Sequence, residues 1–129
     1  MNGKLDYSHR DILAARTLHN EIRKLLKAHE RGERNSATLP DIKVLCSCII
    51  QTIRDPYCQE KMCDVEIHSD ELFAADNRSR WGRSRGTPPS SIFLRRLIVK
   101  ALDAFEDRLA LLEAERESAR AGAEIRDSF

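Results

Sequence analysis

No run of apolar residues in this 129-residue chain approaches the roughly 20 needed to cross a bilayer, so no membrane span is expected. The N-terminus, MNGKLDYSHRD, lacks the apolar centre of a secretory signal. Signatures of chemistry are missing as well. The chain has no Gly-rich phosphate loop, no nucleophile elbow and no metal-binding carboxylate motif. Its histidines, His9, His19, His29 and His68, are dispersed, without the i, i+4 pair of a helical metal site. Cysteine is scarce at four residues, which in an intracellular chain read as reduced thiols or metal ligands rather than disulfides. These absences predict an intracellular protein, cytoplasmic or, if eukaryotic or viral, nuclear. They also predict that it is not an enzyme and needs no cofactor.

What is present is charge and helical pattern. With 41% hydrophobic and 33% charged residues, the composition is that of one helix-rich globular domain. Its expected extent is 1–121, followed by a frayed tail over 122–129. The net charge of +1 conceals segregation. Residues 55–76 carry seven acids and one Lys, whereas residues 77–102 carry seven bases and no acid. The N-terminal stretch before them is net basic and the C-terminal stretch after them net acidic. A local block of this size can govern association even when the whole chain is nearly neutral.

Ser8 and Asp11 form a capping-box-like start. Ile12, Ala15, Leu18, Ile22, Leu25 and Leu26 then recur at helical spacing up to Gly32, which suits a left-handed helix end. The first helix is therefore predicted over 9–31. Arg16, Arg23, Lys27 and Arg31 fall on its polar side, as a solvated face or an extension of a basic surface. Thr38 to Asp41 start a second helix with Ile42, Leu45, Cys46, Ile49, Ile50 and Ile53 on its apolar face. Asp55 and Pro56 end it and can cap a new short helix. Cys63 to His68 alternates apolar and polar residues and reads as a brief extended segment, with another helical turn or two through about Asp76. After Pro88, Pro89, Ser90 and Ser91, a long helix runs to about Arg120. Ile98, Leu102, Phe105, Leu109 and Leu112 alternate spacings of four and three, the seam of a bundle or coiled coil. The fold class is all-α, a bundle of four to five helices with a long C-terminal helix. Its far end, with Leu109 and Leu112, is a candidate interface for a second copy or a helical protein partner.

The stretch NRSRWGRSRGTPPSS, within a predicted loop over 77–91, sets Arg78, Arg80, Arg83 and Arg85 around the only tryptophan, Trp81. Guanidinium forks match phosphates, and an indole offers a stacking surface for an unpaired base. Arg95, Arg96 and Lys100 lie just beyond and could continue the patch. These eight residues are the candidate nucleic-acid site, with RNA or single strands as the favoured partner. Two blander readings compete: a clasp between these arginines and the preceding acidic block, and a solvated linker with Trp81 plugging the core. A protein-binding loop is the other functional reading. Cys48, Cys58, Cys63 and His68 loosely resemble three-cysteine, one-histidine zinc spacing, but Cys48 and Cys46 lie in an apolar helix, where cysteine behaves as a small hydrophobe. Buried thiols without metal are the expectation. The leading functional expectation is a small nucleic-acid-binding or accessory protein. The alternative is a regulatory adaptor that binds another protein through its last helix and charged loop.

Overall fold

The structure, a computed structural model, describes residues 8–33, 35–81 and 91–127, with side chains outside 76–81 and 120–127. Four helices follow one another: α1 (His9–Glu30), α2 (Thr38–Thr52), α3 (Pro56–Trp81) and α4 (Ser91–Asp127). Each packs against the next, and α4 returns beside α1 to close the bundle. The fold is all-α, and no strand occurs among the described residues. Among those residues no helix is long and apolar enough to cross a membrane.

Local chemistry explains the boundaries. The Ser8 hydroxyl accepts the Asp11 amide at 3.1 Å, and the Asp11 carboxylate accepts the Ser8 amide at 2.8 Å, a complete capping box. Gly32 takes φ +96° just past α1, a conformation that glycine adopts without a Cβ clash. Asp55 accepts the Cys58 amide at 3.1 Å and so caps α3 ahead of Pro56.

Packing follows a heptad-like rhythm. The buried positions of α1 are Ile12, Ala15, His19, Ile22, Leu26 and His29. In α4 every predicted seam residue, Ile98, Leu102, Phe105, Leu109 and Leu112, is buried. Leu109 and Leu112 are therefore closed inside the chain's own core, which corrects their reading as an interface with another chain. Past them, residues 113–119 are largely exposed, so α4 overhangs the bundle with charge rather than with an apolar seam.

Two further expectations need correction. Cys63 to His68 is helical, within α3, because Cys58, Met62, Val65, Ser69 and Leu72 form a buried stripe at spacings of four and three. A six-residue alternation was too short to outweigh that longer period. The predicted loop also begins later than residue 77, since α3 continues through Trp81. Nothing from Asn77 to Trp81 lacks an amide hydrogen or requires positive φ; the first breaker is Gly82.

Candidate functional site

The candidate site grows from the side of the bundle where α1 and α4 meet, the loosest of its four neighbouring helix pairs. The two helices run antiparallel. Arg16 at one end reaches Glu113 at 3.3 Å, Arg23 reaches Asp103 at 2.6 Å, and His29 at the other end meets Arg95. A groove of about 110 Å³ lies between them, floored by Leu26, Ile98 and Leu102. It adjoins a broader trough of about 540 Å³ along the outer side of α4, where Ile92 and Val99 supply apolar surface.

Five cations line this double hollow: Arg23 and Lys27 from α1, and Arg95, Arg96 and Lys100 from α4. Only Glu30 and Asp103 oppose them there. The cations differ in freedom. Arg95 turns inward, donating to the Leu26 carbonyl at 3.2 Å and to His29 Nδ1 at 2.6 Å, while the His29 ring stacks on Phe73 at 4.1 Å. Arg23 donates to Asp103 and, through Nε, to His19 Nε2 at 3.0 Å. Lys27, Arg96 and Lys100 are exposed and have no ion-pair partner among the described residues.

The histidines are what reading the sequence for apolar residues missed. His19 and His29 occupy seam positions of α1 that hydrophobic residues would normally fill. Their spacing from Ala15, Ile22 and Leu26 was the available signal. Burial, and after it the Arg23 charge, holds the His19 pKa below its ordinary value; Glu106 pulls the other way. A histidine kept neutral by the fold makes stability fall as pH drops below about 6.5, where the unfolded chain takes up a proton that the folded one resists.

Arg78, Arg80 and Trp81 ride the last turns of α3, and Arg83 and Arg85 lie outside the described residues. Ser91, where the described chain resumes, is one turn before Arg95. Of the acidic block, Asp55, Asp64, Asp70 and Glu71 engage Arg108, Lys61, Lys43 and His68, and the clasp with the arginine-rich stretch falls on side chains outside those described.

Cys46 and Cys58 are buried, whereas Cys48 and Cys63 are exposed, so the zinc-like spacing does not converge. No group of three potential metal ligands occurs among the described residues. Burial is the first cause that pushes the Cys46 and Cys58 thiols up to about 12. A chromogenic disulfide reagent should therefore titrate Cys48 and Cys63 in the native protein, and Cys46 and Cys58 only after denaturant is added. Rapid reaction of all four thiols under native conditions would contradict this packing. Compared with family models, curated proteins and solved structures, the chain matches none.

Proposed function

We propose that this chain is a small, non-enzymatic nucleic-acid-binding or accessory protein that grips RNA or single strands along the α1–α4 groove and the arginine-rich stretch preceding α4. One observation carries the reading: Lys27, Arg96 and Lys100, exposed and unpaired among the described residues, flank an apolar floor beside Arg23 and Arg95. Exposed cations at rest against water are ready to replace the counterions of a phosphate backbone. The apolar surface accessible beside them, Val99 and Ile92, offers no donors or acceptors for reading base edges, so it suits unpaired bases held without sequence preference. Arg78, Arg80 and Trp81, at the end of α3, and Arg83 and Arg85, which follow them in the sequence, would add to the same contact.

Fluorescence anisotropy with a labelled oligouridine at several salt concentrations tests this. Each phosphate contact adds about 0.7 to the slope of log affinity against log salt. Changing Lys27, Arg96 and Lys100 together to Ala should flatten that slope by about 2 and leave helicity intact. No binding at low salt would end the reading.

A second reading has its own observation. Ile92, Phe93 and Val99 on α4 are 67%, 51% and 43% exposed, which is much apolar surface on consecutive turns. An adaptor using it would bind a helical partner, or a second copy of this chain, with little dependence on salt.

A further inference from the structure

His19 lies in the α1–α4 seam with none of its surface exposed. A guanidinium has only donors, so the Arg23 bond to Nε2 requires that nitrogen to be unprotonated. The ring hydrogen then sits on Nδ1, which faces Asn20 Oδ1 at 3.3 Å and Glu106 Oε2 at 3.8 Å. The charges acting on the ring are Arg23 on its own helix and Glu106 on α4; none comes from α2 or α3. Arg23 also lines the groove and is tied to Asp103 there. A neutral, buried histidine thus helps to hold one of the five groove cations back against the bundle.

We propose that His19 couples proton uptake to polyanion binding in the groove, by holding Arg23 when neutral and releasing it when protonated. A proton on Nε2 leaves two donors, and two positive charges, facing each other across the present 3.0 Å bond. Glu106, with 52% of its side chain exposed, is placed to swing onto the charged ring from the surface. Arg23 leaves the ring and meets a phosphate beside Lys27. The coupling rests on the nucleic-acid reading of the groove and supplies its regulation. It is reciprocal by thermodynamic necessity: a bound polyanion raises the proton affinity of His19 by the factor by which the proton tightens binding.

The test is oligouridine anisotropy at fixed salt, at about pH 7.5 and at the lowest pH at which the protein keeps its helical signal, because burial holds the His19 value below the ordinary one of about 6.5. The wild type should bind tighter at the lower pH, by up to roughly tenfold once His19 is protonated. His19→Gln keeps an acceptor for Arg23 but cannot titrate, so it should lose that gain. Equal wild-type affinity at both pH values, or a His19→Gln variant that keeps the full gain, overturns the coupling and leaves the groove reading standing. Absence of binding at both pH values overturns the two together. Should His19→Gln not fold, Glu106→Gln decides instead: without its carboxylate the midpoint of the affinity change should move to lower pH, and an unmoved midpoint overturns the coupling. Ring NMR of His19 gives the reciprocal reading, a titration midpoint about one pH unit higher with saturating oligouridine for a tenfold effect. A midpoint indifferent to oligouridine also overturns it.

Discussion

Leu109→Glu combined with Leu112→Glu is expected to unfold the protein rather than release monomers from an oligomer. The two side chains are 0% and 3% exposed within the bundle's own core. Removing a buried leucine forfeits about 1.5–3 kcal/mol of apolar burial at each position. Each carboxylate placed there adds several kcal/mol of desolvation, because both positions belong to the buried apolar cluster. Together these losses approach the roughly 5–15 kcal/mol by which small domains are stable at all. Circular dichroism of the double variant should show most helical signal gone at room temperature. Leu111→Glu is the control: Leu111 is 48% exposed, and its replacement should leave the spectrum and the melting midpoint nearly unchanged. A double variant that stays helical and runs as a smaller species than the wild type would show that this seam faces another chain.

The sequence made α1, α2 and α4 legible because most of their seam positions carry apolar residues at spacings of three and four. Helix α3 was harder to read. Ser69 occupies one of its five seam positions, fully buried, while Ile67 beside it is 55% exposed. An apolar count thus finds the wrong face, and the short alternation around Cys63 looks extended. The site was legible only in part, for a related reason. Arg96 and Lys100 stand exposed, as clustering of charge suggested, but Arg95 belongs to the same cluster and is drawn inward by His29 and the Leu26 carbonyl. Charge clustering marks where cations are, not which of them the folded chain already uses. That distinction needs the partner helix. The α1 residues Arg23 and Lys27 lie about 70 residues from Arg95 and Arg96 in sequence, and only the antiparallel closure of α4 on α1 brings the two sets together. The spacing within α1 could have singled out His19 and His29, since both keep step with its aliphatic seam.

Asp55→Ala should be the most damaging single change of a polar side chain at the opposite end of the bundle, with a loss of about 2–4 kcal/mol. Asp55 does two jobs between α2 and α3. Its carboxylate accepts the Cys58 amide and begins α3, a cap worth about 1 kcal/mol. The same group takes both arms of Arg108 from α4, Nε at 3.1 Å and Nη2 at 2.8 Å, with the guanidinium lying 6.0 Å over the Tyr57 ring. This fork joins the start of α3 to the middle of α4, far from the chain connection between those helices. Charge-assisted hydrogen bonds of this kind contribute about 1.5–3 kcal/mol, toward the lower figure here because Arg108 remains 30% exposed. Asp55→Asn separates the two roles, since asparagine caps equally well and should recover about 1 kcal/mol of the loss. A double-mutant cycle with Arg108→Ala should return a coupling of about 1–2 kcal/mol. The pH dependence carries a sign of its own. The Arg108 hydrogen bonds hold the Asp55 carboxyl below its ordinary value, so their stabilisation is complete above about pH 3.9 and is lost as pH falls through the lower folded-state value. Melting curves across the acid range should therefore converge for wild type and Asp55→Asn as the wild-type carboxyl becomes protonated. If Asp55→Ala melts with the wild type at neutral pH, the fork on Arg108 contributes nothing, and the bundle is held at that end by Ile53, Cys58 and Leu109 alone.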